Sequence, residues 1–386
     1  MLKKFCSLLL CLTVLLLFSS CSYSGNLSDM SVAQGVSVDT ENEKTKVCVQ
    51  YLDLAKGSST TEGFDSNITS VACGSGDNIS KAVSKASAGV TGPIFFGQNK
   101  IIVFGMEYAE LGLDGINDYV LRGIDSRPDV QVALCDTSAQ EVIRSKQGNA
   151  KIPAQSVYDM IKTGERVGLS ISVSANELMN AYSDETSDVC LPCLGVNDEK
   201  TFCNGIVIFS SQKPAALLDD GETFGFLLMN DLIKGGALNV YDEKLGNVSF
   251  EIKSTKIKKT ASSVGSAIKF DCKLKAKLIL NNTQKGIVVK TSEEDISRLE
   301  VLANQELERL CTCAVKKCLD SKSDALFIGK MLAKSDIDAY NRMKSNWHEN
   351  LENVKFNIDA LSEIELISDN SIKAVSYTHL TLPTIA

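Results

Sequence analysis

The sequence predicts an α+β fold with largely antiparallel sheets and, in the C-terminal half, a long helix packed on a sheet. Strand and short-helix patterns follow one another without the regular β-α-β alternation of doubly wound proteins. Residues 268–280 alternate between apolar and polar side chains, the period of a strand with one buried face. Residues 296–314 repeat apolar side chains at helical spacing, which indicates a helix with one buried stripe.

The first 21 residues have the features of a bacterial export signal. Two lysines precede an apolar run from Leu8 to Phe18, which is shorter than the roughly 20 residues of a membrane-spanning helix. Two serines then precede Cys21, and this arrangement resembles the lipobox of bacterial lipoproteins. We therefore predict a signal peptide over residues 1–20, acylation of the Cys21 thiol, and a polar tether over residues 21–30. An ordinary secretory signal with an incidental cysteine is the alternative.

The last twelve residues are set apart from the fold. Residues 375–386 read VSYTHLTLPTIA, which is typical of a translated sequencing adapter and not of a protein segment. Without them, His348 is the one remaining histidine.

Composition places the rest of the chain among ordinary globular proteins. Hydrophobic residues make up 44% and charged residues 23% of the sequence. The net charge of −8 argues against a nucleic-acid binder. The thirteen cysteines show no repeating spacing, although an exported protein could pair some of them.

We predict two domains, over residues 31–200 and 201–374. The expected strands and helices of the first domain are strands at Val32–Val38, Thr45–Leu52, Ile101–Phe104 and Val130–Leu134, and helices at Ile79–Val90, Ile116–Leu121, Pro153–Gly164 and Ala175–Tyr182. Thr45–Leu52 alternates and is expected to be half-buried. Ser138 and Glu141 have the spacing of a capping box for a further helix. Residues 184–204 are expected to be a junction, with residues 194–200 in a loop.

The second domain is organised around a long antiparallel pair of strands. A strand at Gly205–Phe209 and a helix at Glu222–Met229 precede the pair, and a helix at Ile337–Trp347 and two strands at Val354–Ile358 and Ile364–Ile367 end the domain. Between them lies the long helix, for which Ser292 and Asp295 form an expected capping box.

The polar side of the second strand of the pair is basic. Its lysines are a candidate membrane or partner surface, and the alternative is a plain solvated face. They are Lys269, Lys273, Lys275 and Lys277.

Catalytic and metal-binding patterns are weak. Cys190, Cys193 and Cys203 lack a fourth zinc ligand nearby, so we expect free thiols or one disulfide. Cys311 and Cys318 border the apolar stripe of the long helix and are expected in the core. One histidine leaves little choice of a catalytic base. We therefore predict no enzyme activity, no metal and no cofactor.

Several stretches together resemble one family, the C-subunit lipoproteins of bacterial spore germinant receptors (GerAC-like). The most specific stretches are residues 79–105 (ISKAVSKASAGVTGPIFFGQNKIIVFG) and residues 119–134 (YVLRGIDSRPDVQVAL). The second stretch includes Arg122 and Arg127. The other matching stretches are residues 204–236, the basic strand pair, and residues 324–329 and 346–358. Gln98 stands where this family often has His, and residues 22–27 lack the family's frequent Trp and acidic pattern.

The resemblance implies a non-enzymatic subunit with an elongated fold of mixed α/β subdomains. It implies that Cys21 anchors the chain on the outer face of the spore inner membrane, where the chain assembles with membrane A and B subunits that respond to a nutrient. It gives no nucleic-acid partner. The alternatives are a lipoprotein that captures a solute, another membrane-anchored extracytoplasmic lipoprotein, or an anchored hydrolase of the cell wall, which would need a carboxylate pair or a metal site in a cleft.

Overall fold

A computed structural model describes residues 30–53, 68–113, 115, 126–145, 150–184, 187–265, 267–283 and 292–365. The signal peptide, Cys21, the expected helix at Ile116–Leu121, Arg122 and residues 375–386 lie outside these ranges. The described residues up to Tyr158, together with Val196–Thr201, form one compact unit. Asp159–Gly195 and the residues from Phe202 onward form a second.

Helices and strands are mixed along the chain, which confirms the α+β class. The strands are β1 (Ser31–Glu41), β2 (Lys44–Leu52), β3 (Thr69–Gly76), β4 (Ile94–Phe95), β5 (Ile101–Gly105), β6 (Gln131–Cys135), β7 (Cys190–Asn197), β8 (Lys200–Ser210), β9 (Lys213–Leu218), β10 (Ala237–Asp242), β11 (Gly246–Val264), β12 (Ala267–Thr283) and β13 (Val354–Glu365). The helices are α1 (Ile79–Ser87), α2 (Met106–Leu111), α3 (Ala139–Arg144), α4 (Pro153–Val167), α5 (Ala175–Tyr182), α6 (Asp220–Met229), α7 (Glu293–Asp320), α8 (Ile328–Ser335), α9 (Ile337–Met343) and α10 (Trp347–Asn350).

In the first unit the strands are ordered β3-β2-β1-β5-β6. The two predicted strands at Val32–Val38 and Thr45–Leu52 are present as β1 and β2, and they form an antiparallel hairpin with Asn42 and Glu43 in its turn at positive φ. β1, β5 and β6 then run parallel, so this sheet is mixed. Cys48 and Cys73 are direct cross-strand partners on β2 and β3 and form a disulfide, which fits an exported protein.

The expectation that β2 is half-buried is wrong, because helices cover both of its faces. Val49 on one face and Gln50 on the other are both buried. A Cβ on Gly74 of β3 would collide with Ala82 and Ala86 of α1, so this glycine permits the close approach of the helix. On the opposite face, the Gln50 amide donates to the carbonyl of Ile143 and accepts from the backbone N–H of Ala154 (3.0 Å).

Helix α3 lies where the sequence indicates, but the expected Ser138–Glu141 capping box is wrong. Ser138 makes no side-chain capping hydrogen bond. The carboxylate of Asp39, on β1, instead accepts from the backbone N–H groups of Ala139 (2.7 Å) and Gln140 (2.9 Å). A residue 100 positions away in sequence therefore supplies the cap, which no local spacing can reveal.

Two expectations for residues 153–204 also change. Gly164 does not end helix α4, which continues to Val167 and stops at Gly168, a glycine with φ of +80°. The loop expected at residues 194–200 is instead the end of β7 and the start of β8, joined by Asp198 and Glu199. Both turn residues have positive φ, as a tight two-residue hairpin turn requires.

The second unit contains the strand order β10-β11-β12-β13 and the long helix α7. The predicted pairing of β11 with β12 is antiparallel and confirmed, and the predicted dry face of β12 is buried from Ile268 to Leu278. The predicted capping box of α7 is also confirmed, with Ser292 and Asp295 exchanging hydrogen bonds. The predicted stripe residues Leu299, Ala303, Leu307, Leu310 and Ala314 are buried in the same core as the sheet.

Helix α7 also protects the free edge of the sheet. The two strands expected at Val354–Ile358 and Ile364–Ile367 are one strand, β13, which runs parallel to β12. The backbone N–H groups of Ala360, Ser362 and Ile364 donate to side chains of α7, at 3.0, 2.6 and 3.1 Å. The acceptors are Glu308, Asn304 and Glu300, spaced one helical turn apart. An edge that could pair with another chain is thereby occupied.

The chain between α7 and β13 is more broken than the sequence suggests. The expected helix at Ile337–Trp347 is α9, a 3₁₀ turn at Lys344–Asn346 and the start of α10. Tyr340 and Trp347 pack with their ring centroids 5.5 Å apart. This break turns the buried Trp347 into the core and leaves His348 beside it at the surface of α10.

The contact between α6 and α7 yields a stability prediction. A Cβ on Gly225 would overlap the carbonyl of Leu310, whereas a Cβ on Gly221, in the same helix, would make ordinary contact 3.4 Å from Leu310. Gly225→Ala should lower the free energy of unfolding by about 1–3 kcal/mol, because two helix backbones must separate. Gly221→Ala should be neutral or stabilise by up to about 1 kcal/mol. Urea unfolding followed by fluorescence of Trp347, the only tryptophan, measures both; equal effects would contradict the packing.

Candidate functional site

The predicted lysine surface lies on the outward face of the sheet formed by β11, β12 and β13. The four predicted lysines of β12 are all exposed there, which confirms the facing of the strand. The structure separates them into two kinds. Lys269 pairs with Asp271 (2.7 Å), and Lys277 lies 3.5 Å from Glu363. Lys273 and Lys275 make no ion pair with any described residue.

Two lysines of β11 that the sequence analysis missed complete the surface. Lys256 is the direct cross-strand partner of Lys275, and Lys258 is the partner of Lys273. All four are exposed, and we call them the lysine quartet. Like charges directly opposite each other on paired strands repel and destabilise the sheet. The quartet therefore does not contribute to the stability of the sheet.

A β-bulge explains why Lys256 and Lys258 were missed. The pairing of β11 with β12 shifts register between Ile252 and Ser254. Outward-facing residues are odd-numbered before this shift and even-numbered after it, so alternation read along the strand loses its phase. Lys259 consequently turns inward, where its Nζ donates to Asn230 (2.9 Å) and the carbonyl of Leu326 (3.2 Å). Burial lowers the pKa of Lys259 to about 8.

A second site in the same unit is built on two buried carboxylates. Asp324 follows α7 and is fully buried. Its carboxylate accepts from the backbone N–H groups of Ile328 and Gly329, both at 2.7 Å, and from the indole N–H of Trp347 at 3.0 Å. It thereby fixes the start of α8 and holds α10 against it.

Asp188, just before β7, is the second carboxylate. It accepts from the backbone N–H groups of Asp324 (2.7 Å) and Ser211 (3.2 Å). His348 completes the group, with Nε2 3.1 Å from Asp188 and Nδ1 3.2 Å from the Ser211 hydroxyl. We call Asp188, Ser211, Asp324, Trp347 and His348 the carboxylate cluster. Its members come from four separate chain segments, and it lines a cleft of about 380 Å³.

Protonation in the cluster follows from burial and pairing. Burial raises the pKa of Asp324 to about 7, although its three hydrogen bonds favour the ionised form. The hydrogen bond with Asp188 raises the pKa of His348, against the opposing effect of its partial burial. Both shifts mean that the folded cluster holds protons more tightly than the unfolded chain does.

The sequence singles out His348 only as the one remaining histidine and gives it no partner. Ser211, His348 and Asp188 are the three residue types of a serine hydrolase triad, but the ring nitrogens are exchanged: Nδ1 faces Ser211 and Nε2 faces Asp188, whereas in a triad Nε2 faces the serine. Ser211 lies in the β8–β9 turn with a positive φ of 50°. Its own backbone N–H binds the same carboxylate, so the three groups also serve to fasten this turn.

The cysteines and the remaining predicted positions contribute little chemistry. Cys311 and Cys318 are buried, as expected, and burial raises the pKa of Cys311 to about 12. Within the described ranges, no group of three or more His, Cys, Asp or Glu side chains is placed to hold a metal ion. Arg127 pairs with Asp129 (2.6 Å) on the surface, and Gln98 is exposed.

Two family models match almost the whole chain. The N-terminal domain model of spore germination proteins matches residues 24–196, and the C-terminal model described as spore germination B3/GerAC-like matches residues 204–367. The chain belongs to the GerAC-like family of spore germination proteins. The domain boundary between residues 200 and 201 stays a prediction.

Individual relatives agree with this family over similar lengths. Spore germination protein GerQC of Bacillus cereus is 21% identical over 92% of this chain and 96% of its own length. Spore germination protein KC of Bacillus subtilis is 24% identical over 90% of this chain and 91% of its own. The crystal structure of the GerBC protein covers 86% of this chain and 98% of its own, at 20% identity and a TM-score of 0.58, so the fold is shared.

Two residues of the carboxylate cluster belong to the sequence stretches that resemble the family. Asp324 and Trp347 lie in two of the stretches that carry the GerAC-like resemblance, and in the fold they are joined by a hydrogen bond.

In the parts of the chain that the structure describes, no helix is both long enough and apolar enough to cross a membrane.

Replacing the buried carboxylate should destabilise the second unit. Asp324→Asn places an amide N–H₂ where the carboxylate now accepts from three donors, so at least one donor loses its acceptor. We expect the free energy of unfolding to fall by about 2–4 kcal/mol. Asp320→Asn, at the exposed end of α7, is the matched control and should change it by less than about 0.5 kcal/mol. Trp347 fluorescence in urea measures both, and similar midpoints would contradict the assigned role.

Stability should also fall as pH rises from 5 to 8. Asp324 titrates near pH 4 when unfolded and near 7 when folded, so its contribution is lost between these values. The pKa of His348 is raised in the folded protein. Its contribution to stability is therefore fully present below about pH 6.5 and is lost as the pH rises through the folded-state pKa. The slope should reach about 1.4 kcal/mol per pH unit for each proton.

His348→Gln separates the two groups. This variant should reduce the slope above about pH 6.5 and leave the fall between pH 5 and 7, because Asp324 is unchanged. Carboxyls with lowered pKa values, such as Asp242 and Asp336, titrate below this range. An unfolding free energy that rises between pH 5 and 8 would be inconsistent with the cluster.

Proposed function

We propose that the chain is the C subunit of a nutrient germinant receptor and works in spore germination by assembly and not by catalysis. The observation that carries this proposal is the pair of family matches over residues 24–196 and 204–367, which together span nearly the whole chain. The partners would be the membrane A and B subunits of the receptor. The place of action would be the outer face of the spore inner membrane.

Attachment would be through acylated Cys21. The export signal and the small residues before Cys21 support this proposal, and the Cys48–Cys73 disulfide is consistent with an oxidising compartment. A lipid anchor confines the chain to the surface on which its partners lie. Such tethering can raise the apparent affinity of a weak contact by roughly 10²- to 10⁴-fold. A subunit that acts through assembly therefore depends on its anchor most strongly at low abundance.

One observation favours a second candidate function, hydrolysis. Ser211, His348 and Asp188 combine the three residue types of a catalytic triad in one hydrogen-bonded chain and line a cleft, although the two ring nitrogens of His348 are exchanged relative to a triad. Against this, Asp188 also accepts from two backbone N–H groups and so fastens a turn and a loop. We propose that the three residues are structural. The solute-capture alternative has less support, since β10, β11 and β12 pair antiparallel where a doubly wound lobe has parallel strands.

Complementation of a deletion strain tests the proposal. Deletion spores should fail to germinate with one class of nutrient and respond normally to others, in a strain without a duplicate receptor. The unaltered gene should restore germination. Cys21→Ala at native expression should restore it poorly, and overexpression should partly compensate, because concentration replaces tethering.

Ser211→Ala is the variant that separates assembly from hydrolysis. It removes one hydroxyl and keeps the backbone hydrogen bond to Asp188, so complementation should be as good as with the unaltered gene. Loss of germination with Ser211→Ala, in spores that contain normal amounts of the protein, would favour hydrolysis. Deletion spores that respond normally to every nutrient would refute the receptor role.

A further inference from the structure

The lysine quartet (Lys256, Lys258, Lys273 and Lys275) forms the centre of a basic surface whose charges are not neutralised by ion pairs. In the described residues, none of its members has an ion-pair partner within 4 Å. The whole chain carries a net charge of −8, so this concentration of lysine does not follow from composition. Lys355 of β13, directly opposite Lys269, is exposed on the same face and extends the surface.

The arrangement has an electrostatic disadvantage that binding of an anion would remove. Lys256 faces Lys275 and Lys258 faces Lys273 across antiparallel strands, where side-chain origins are about 5 Å apart. Four positive charges at this spacing repel one another, and Asp359, which lies opposite Lys273 on β13 without forming an ion pair, offsets only part of this repulsion. A negatively charged surface placed above them would neutralise the repulsion and gain attraction from every member at once.

The residue types on this face favour a lipid surface over a protein. Protein interfaces are enriched in aromatic residues and Arg and depleted of Lys. The outward positions of β11, β12 and β13 in the described chain hold neither aromatic residues nor Arg. Lys is a strongly hydrated charge on a flexible stem, suited to diffuse attraction by many headgroups. Leu361, beside Lys275, is 58% exposed and offers an apolar side chain to a membrane interface.

We propose that this face of the sheet lies on a bilayer surface and binds anionic phospholipid headgroups through the lysine quartet. The binding orients the domain on the membrane. It is independent of the acylation of Cys21, and it does not depend on the receptor assignment.

Lysine acetylation of the full chain, reconstituted in vesicles and read by mass spectrometry, tests this contact. One set of vesicles contains phosphatidylcholine alone, and the other contains an added phosphatidylglycerol fraction. Exposed lysines elsewhere in the second unit serve as internal references: Lys213, Lys316, Lys334 and Lys344. The quartet should react at least about 5-fold more slowly on the anionic vesicles than on the neutral ones, relative to these references. In 1 M salt, where the Debye length is about 3 Å, the protection should disappear.

Two quadruple variants show whether the quartet supplies the attraction. Lys269, Lys277 and Lys355 act as reporters, because they lie on the same face and stay unchanged. Changing all four quartet residues to Gln should abolish the reporters' protection on anionic vesicles. Changing the four reference lysines to Gln should leave it intact, with reactivity then normalised to the exposed Lys234 and Lys330, although the same number of charges is removed. Trp347 fluorescence in urea confirms that each variant is folded.

Each other outcome would overturn the proposal. Equal reactivity of the quartet on anionic and neutral vesicles would exclude headgroup binding. Protection that survives in the quartet variant would assign the contact to other residues. A third arm uses native membranes; protection that arises there and not on pure anionic vesicles would identify an acidic protein as the occupant.

Discussion

The packing of helix α7 across the sheet is the constraint on which the second unit depends. One stripe of the helix fills the dry face of β11 and β12, and Glu300, Asn304 and Glu308 satisfy the free edge of β13. The helix therefore buries apolar area and occupies an unpaired strand edge at the same time. Gly225 lets α6 approach the same helix closely. Helix α7 therefore contacts the dry face of the sheet, the edge strand β13 and helix α6.

This arrangement leaves the opposite face of the sheet uncovered in the described chain, and its chemistry is unusual. The strand pair has one dry face, so its other face is free to carry charge without loss of core. Paired lysines at this density are unfavourable within the sheet. A fold stabilised on one side by a long helix can carry that electrostatic strain, which leaves the basic surface available for an external anion.

The carboxylate cluster performs a different task. Asp324 and Asp188 lie where several chain segments converge after α7, and each accepts hydrogen bonds from backbone groups that would otherwise be buried without an acceptor. Such groups fix loop geometry more specifically than apolar packing does. Because burial opposes their charge, the same contacts make this region sensitive to pH in the range where Asp324 and His348 titrate.

The sequence by itself determined the features that depend on local periodicity. The alternation of Ile268–Leu278, the stripe of α7 and the Ser292–Asp295 cap were all visible because neighbouring residues make them. The tertiary structure alone decided the rest: the Asp39 cap of α3, the double burial of β2, the single strand β13, the bulge that brings Lys256 and Lys258 outward, and the partners of His348. Each of these joins residues far apart in the chain or depends on one shift of register. Periodicity carries no information about such contacts, since it records which side of an element is dry and not what lies against it.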